Sequence, residues 1–431
     1  MAENGILNVR ASEILDSRGF PTVEAELTTS KGTFIAAVPS GSSTGRHEAL
    51  ELRDNNKKRY SGKGVLNAVN NVNRIISKKI IGMDCTNQKE IDEAMIELDG
   101  TKNKSKLGAN AILAVSMAAC KAGAAAKEVP LFKHIADLSS NKKFLMPVPS
   151  SVVLEGGKHA DNSTDFQEFM IMPIGAKRFS EALRWNVEVY YALGKLLRSK
   201  GHNINVGYEG AYAPNLKMNS EPIEHIVSAI EKAGYKMGKE IAIAIDVANS
   251  QNFHKGRYVL KKEGKTLSSS KMVDYFEDLC SKYPVASLED GMAEEDWNGW
   301  IELTARTGKC IQIVGDDLTV TNINLLQKAI ELNALNSVII KINQIGTITE
   351  TLDVAELARD NDITAIVSQR GGETEDTFIA DLAVGLGNGQ CKFGAPARGE
   401  RTCKYNRLLR FEEIFGNKAR YAGKGILRSR L

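Results

Sequence analysis

The stretch TVEAELTTSKGTFIAAVPS, residues 22–40, alternates apolar and polar positions on both sides of a Lys-Gly pair. Strands have a period of two, so this spacing predicts a β-hairpin. The period then lengthens to that of a helix in LNAVNNVNRIISKKI, in KEIDEAMIELDG and in an alanine-rich run that ends near Lys127. Strands first and helices after predict an α+β domain. The polar, two-proline segment LSSNKKFLMPVPS interrupts the pattern. It sets the expected boundary near residue 140, with one domain over 1–140 and a second over 141–431.

Beyond that boundary, strand-like and helical stretches alternate. EIAIAIDVANS is a short β-branched run closed by Asp246. YPVASLEDG is closed by Glu289, CIQIVGDDL by Asp316, SVIIKINQ by Lys341, and ITAIVSQRGG by Gln369 and Arg370, while GQCKFGAP presents Lys392. These polar positions recur at about the length of a β/α unit, with helical segments such as NINLLQKAIELNA between them. Continuous apolar strands are what a parallel sheet buried on both faces requires. The predicted fold class is α/β, a TIM-type (β/α)8 barrel preceded by a smaller α+β domain. An open doubly wound sheet would alternate in the same way, but VGLGNGQ lacks the third glycine of GxGxxG and follows no first strand. GxxxxGK[ST] does not occur, so nucleotide binding is a weak reading.

Composition narrows the class without changing it. The chain has 431 residues, of which 42% are apolar and 25% charged, ordinary for a globular protein. Its formal charge of +3, from 56 basic and 53 acidic side chains, provides no global field for nucleic acid. The basic end, NKARYAGKGILRSRL, reads as a solvated tail. Cys85, Cys120, Cys280, Cys310, Cys391 and Cys403 include no CxxC pair, which fits reduced thiols in the cytoplasm. MAENGILNVR lacks an apolar signal core. The run GANAILAVSMAACKAGAAA carries Lys121 and reads as a buried helix, so no membrane partner is expected.

The strand ends carry the candidate chemistry. In a barrel the C-terminal ends of the strands converge on one face, so Asp246, Glu289 and Asp316 would meet there. Three carboxylates so close repel one another unless a cation neutralises them. An all-oxygen set without histidine or cysteine favours Mg²⁺ over zinc. Lys341 after SVII would be costly in a core without a purpose or a partner. It reads either as a general base, made neutral by burial and nearby cations, or as the partner of one of the carboxylates. EGGKHADNSTDFQEFMIMP places His159, Gln167 and Glu168 on a loop running into a strand, and INVGYEGAYAPN places Glu209 in a glycine-flanked turn. The small hydroxyl-rich loop Ser40–Gly45 reads as a lid or as a plain linker.

Long strings along nearly the whole chain then resemble the enolase family. They include DSRGFPTVE, VPSGSSTGRHEALELRD, HADNSTDFQEFMIMPIGA, EDGMAEEDWNGW, GDDLTVTN, KINQIGTITET, GETEDTFIADLAVGLGNGQ and GAPARGERTCKYNRLLR. The resemblance implies a barrel with an irregular ββαα start, a homodimer formed through the small domain, and dehydration of 2-phosphoglycerate to phosphoenolpyruvate. It implies two Mg²⁺ per site, the first on Asp246, Glu289 and Asp316, the second on the lid serine Ser43 once substrate is bound. Lys341 matches the base, and Glu209, with Glu168 beside it, the acid that helps the hydroxyl leave. Gln167 and Lys392 match groups at the substrate carboxylate, His159 a mobile-loop histidine, and Arg370 the arginine on the phosphate.

The departures from the family pattern cluster around the same residues. The usual SHRSGETED is here SQRGGETED, so Gln369 replaces a histidine and Gly371 a phosphate-binding serine. GDEGGFAPN has become GYEGAYAPN, introducing Tyr208 and Ala211. NGGSHA has become EGGKHA, which places Glu155 and Lys158 in the expected mobile loop, and DVAASEF has become DVANSQN. Metal ligands and base are retained while contacts to the anionic group change. Three readings follow: the 2-phosphoglycerate dehydratase itself; a divergent enzyme running the same elimination on a phosphonate or related phospho-acid, similar to carboxyphosphonoenolpyruvate synthases; and a non-catalytic binding scaffold.

Overall fold

The computed structural model describes residues 4–427; residues 1–3 and 428–431, the outer ends of the N-terminal stretch and of the basic tail, lie outside the described residues. The N-terminal part opens with an antiparallel meander of Asn8–Leu15, Pro21–Thr29 and Gly32–Ala37. The expected hairpin forms its second and third strands. Of the first strand only Val9 is buried, so its sequence carries little of the alternation that marks a strand. The helical stretch Leu66–Ile80 forms with a π-type turn over Val72–Ile76. Gln88–Asp99 ends at Gly100, whose left-handed φ of 67° lets its N–H cap the Ile96 carbonyl. Helix Ala109–Ala126 is buried along most of its length against the meander. It is long and apolar enough to cross a membrane, yet its alanines serve close packing inside this domain.

The largest sheet runs Val148–Pro149, Gln390–Lys392, Thr364–Ser368, Ser337–Ile340, Gln312–Gly315, Val285–Glu289, Ala242–Asp246, Glu168–Met172 and Ser151–Glu155. Its first and last members are consecutive pieces of one segment, separated by Ser150, so the sheet closes on itself as a barrel. A closed sheet settles the choice against the doubly wound alternative. Glu168–Met172 pairs antiparallel with both neighbours, and the other pairings around the ring are parallel. Two helices, Phe179–Ser199 and Glu221–Lys232, separate it from Ala242–Asp246, which gives the irregular ββαα start. Regular strand-helix alternation follows through Phe378–Leu386. A small sheet of Phe253–His254, Arg257–Leu260 and Lys265–Leu267, with no counterpart in the expected pattern, is inserted after Asp246.

The last helix of the small domain is Leu131–Leu138, and the first barrel strand begins at Val148. Fully buried Asp92 ties the two parts together. It accepts hydrogen bonds from the Thr349 N–H (2.9 Å) and hydroxyl (2.7 Å) at the start of barrel helix Ile348–Asp360, and from the Gln88 amide (3.1 Å). Burial raises its pKa, so those donors are what keep the carboxylate tolerable there. Asp92→Ala would leave the donors unpaired and should cost about 1.5–3 kcal/mol. The measurement is the denaturant midpoint, and an unchanged midpoint would refute this account of the junction.

Candidate active site

The topology brings the acidic residues to one end of the barrel. Asp246 and Glu289 end adjacent parallel strands in register. Asp316, Lys341 and Gln369 each follow the last residue of a strand, and Lys392 is itself a strand's last residue. Glu168 reaches the same face differently. It is the first residue of the antiparallel strand, paired with Glu155 on one side and Asp246 on the other. His159 sits in a short 3₁₀ turn, Gly157–His159. Glu209 lies in the loop closed by the Gly207 N–H to Ala211 carbonyl bond, where Gly210 takes φ 86°.

One narrow cavity is lined by Ser43, His159, Gln167, Glu168, Glu209, Asp246, Lys341, Gln369, Arg370 and Lys392. Of the candidate catalytic, substrate and metal residues, Glu289 and Asp316 do not line it, but both are buried. The site also holds residues that the sequence did not single out for it. Ser42 and Ser368 join the lining, beside Gly371 of the altered SQRGG stretch. Asp290 accepts the N–H groups of Asp316 and Asp317, both at 2.9 Å. The buried Arg401 guanidinium donates to the carbonyls of Tyr208 (3.0 Å), Arg370 (2.7 Å) and Gly371 (2.8 Å), joining two of the altered loops. Its only mark in the sequence was a place inside GAPARGER.

Charge balance dominates the geometry. The Lys392 ammonium lies 2.8 Å from Glu168 and 2.9 Å from both Asp246 and Glu289. Lys341 pairs with Asp316, whose other oxygen accepts from Gln344 at 2.8 Å. Asp246, Glu289 and Asp316 thus gather at one end of the barrel, shared between Lys392 and Lys341, and Lys392 and Lys341 both line the cavity. Buried like charges each seek the nearest cation, so they divide between two lysines. Even so, burial and then Asp246 hold Glu289 well above the usual carboxylate range. Burial pushes Lys341 down, but Asp316 outweighs it and keeps the ammonium protonated. Arg370 makes a two-pronged contact with Glu48, 3.0 Å on each arm, and its remaining terminal N–H groups reach Ser43 O (2.9 Å) and Asn343 Oδ1 (3.0 Å).

The other side of the site is a knot of glutamates around a histidine. His159 Nδ1 is 3.3 Å from Glu168 and 3.8 Å from both Glu155 and Glu209. Glu155 is not in a mobile loop. It ends the first barrel strand, and its buried carboxylate accepts the N–H groups of Glu209 (3.0 Å) and Ala211 (2.8 Å). Lys158 of the same altered motif is exposed. Buried oxygens of Gln167, Gln369 and Glu209 have no hydrogen-bond partner in the protein. Orphaned polar atoms converging on a cavity are what a polar ligand requires.

Residues 143–430 match the family model described as the enolase C-terminal TIM barrel domain, and residues 6–135 match the enolase N-terminal domain. The chain belongs to the enolase family. Enolases are magnesium-dependent, and the donor set fits that ion: carboxylates only, buried, with Asp246 and Glu289 raised by burial and by their acidic neighbours. Among the described residues, two acidic groups have ligand atoms within 4.8 Å of one another, Asp290 with Asp316 and Asp317, and His159 with Glu168 and Glu209.

Burial, and next Glu209, push Glu155 up to about 8; His159, opposed by burial, is lifted by Glu168 and the other glutamates to about 9. Both groups bind protons more tightly folded than unfolded. Their stabilisation is complete below the ordinary values of 4.5 and 6.5 and is lost as pH rises through the folded ones. Magnesium-free protein should therefore melt at lower temperature as pH rises across this window, and Glu155→Gln should flatten the decline below about pH 8. Parallel melting profiles for the two proteins would refute the assignment.

Proposed function

We propose that this enolase-family lyase removes water from 2-phosphoglycerate to give phosphoenolpyruvate. The observation that carries the reading is one cavity bearing a lysine on a metal-type carboxylate, a buried glutamate, an arginine and two amides with unpaired oxygens. Lys341 takes the proton next to the substrate carboxylate. Asp316 holds Lys341 as an ammonium in the metal-free protein, and neutralisation of the Asp316 carboxylate by a bound cation would free the amine to act as the base. Glu209 gives a proton to the departing hydroxyl. Burial, and then Glu168, raise its pKa, the direction that favours a proton donor. Glu168 is opposed by burial but held well below the usual range by Lys392 and His159, so the pKa values of the two neighbouring glutamates are pushed in opposite directions. Gln167 orients the substrate carboxylate and Arg370 the phosphate, while His159 closes the leaving-group side.

Asp246, Glu289 and Asp316 would hold one Mg²⁺ and Ser43 would join a second. These ions supply the positive charge that stabilises a doubly anionic intermediate. We further propose a cytoplasmic homodimer, consistent with six unpaired cysteines and with Leu15 and Ile35 exposed on the small domain. Sedimentation tests the dimer.

A second reading, the same elimination on a phosphonate analogue, is favoured by one observation. Gln369 is buried with an unpaired carbonyl oxygen where the family carries a histidine. Absorbance of phosphoenolpyruvate formed from 2-phosphoglycerate and Mg²⁺ separates the readings. Turnover that EDTA abolishes supports the first, bound Mg²⁺ without turnover supports the second, and failure to bind Mg²⁺ leaves the non-catalytic scaffold. In the first case Lys341→Ala should lower kcat by about 10²–10⁴ or more with Mg²⁺ affinity retained. A kcat within tenfold of wild type would exclude Lys341 as the base.

A further inference from the structure

The loop that carries Ser43 is fastened to the loop that carries Gly371. Ser40 and Gly372 exchange both backbone hydrogen bonds, at 2.8 and 2.9 Å, and this bridge sets Ser42 directly over Gly371. A Cβ on Gly371 would lie 1.9 Å from Ser42 Oγ and 2.9 Å from Ser42 Cβ. Gly371 does not have the positive φ that calls for glycine, so space, and not backbone conformation, forbids a side chain there. Ser42 Oγ thus fills the volume that a residue at 371 would occupy, and Ser42 and Gly371 both line the cavity. Arg18 Nη1 donates to Ser42 Oγ at 3.0 Å, taking up an oxygen lone pair and leaving the hydroxyl proton for another acceptor. The terminal N–H groups of Arg370 are already engaged by Glu48, Asn343 and Ser43. An anion beside Arg370 therefore needs a further donor.

We propose that Ser42 is that donor: a substrate-binding hydroxyl, presented by the lid loop, that takes over the anion contact of the serine absent at position 371. The proposal rests on the reading of this cavity as the substrate site. It makes the two positions interdependent. A side chain at 371 displaces the Ser42 hydroxyl; removing that hydroxyl relieves the 1.9 Å clash and leaves the 2.9 Å approach of Ser42 Cβ for the loop to absorb.

The test compares wild type, Ser42→Ala, Gly371→Ser and the double variant in Mg²⁺. The readouts are melting temperature, titration with inorganic phosphate, and kcat and KM for 2-phosphoglycerate. Ser42→Ala should weaken phosphate binding and raise KM by about tenfold or more, the loss of one hydrogen bond to a charged group. Gly371→Ser alone should melt lower and bind worse than wild type. The double variant should melt higher and bind tighter than Gly371→Ser alone, a partial recovery because the residue-42 Cβ stays close. A role of Ser42 only in seating Arg18 predicts no recovery, because the double variant restores a hydroxyl without that contact, and such a result overturns the proposal. So does unchanged phosphate binding in Ser42→Ala, a wild type that binds no phosphate, or a Gly371→Ser protein as stable and tight-binding as wild type. Absence of turnover in wild type would instead refute the proposed reaction, and phosphate titration would still decide Ser42.

Discussion

Carboxylates taken out of water at the open end of a barrel must be neutralised where they lie, and the rest of this molecule is arranged around that requirement. Glu168, Glu209, Asp246, Glu289 and Asp316 are all buried within one site. Leaving a single buried charge unpaired costs several kcal/mol. Lys392 is therefore drawn among three carboxylates and Lys341 to a fourth. The acids that no lysine reaches are held by backbone N–H groups or by His159, as Asp290 and Glu155 show. The same excess of buried negative charge suits the site to divalent cations, and the uneven reach of the cations pushes the pKa values of neighbouring Glu168 and Glu209 in opposite directions.

The barrel does not complete the site by itself. Ser42, Ser43 and Glu48 come from the small domain, and Glu48 occupies the arginine that faces the cavity. Arg18 fixes the same loop, donating to Ser42 and to the Gly41 carbonyl at 3.0 Å each while paired with Asp16. Junction contacts such as Asp92–Thr349 therefore bear on function as well as stability, since they keep the lid loop in register with the barrel loops.

Substitutions in the family motifs are redistributed changes of one network. Arg401 binds the carbonyls of Tyr208, Arg370 and Gly371, so the altered acid loop and the altered anion loop share a support. Glu155, read along the chain as part of a loop, braces the backbone that carries Glu209. Gly371 and Ser42, distant in sequence, compete for one volume. Each change makes sense only beside a neighbour that the linear order hides.

The recurrence of buried apolar runs ending in a polar residue was enough to predict a barrel and to place Asp246, Glu289, Asp316, Lys341 and Lys392 on its rim, because strand period and unit length are local properties. The long motif strings added the family and the order of its two domains. What the chain could not disclose was which way Glu168 enters its strand, since an apolar run reads the same for parallel and antiparallel pairing. Nor could it show that Lys392 turns toward the carboxylates, because that follows from the summed field of residues brought together only by closure. What Ser42 and Glu155 do was invisible for a related reason. Their roles depend on the free volume and unpaired N–H groups of segments far along the chain, and those quantities exist only once the chain is folded.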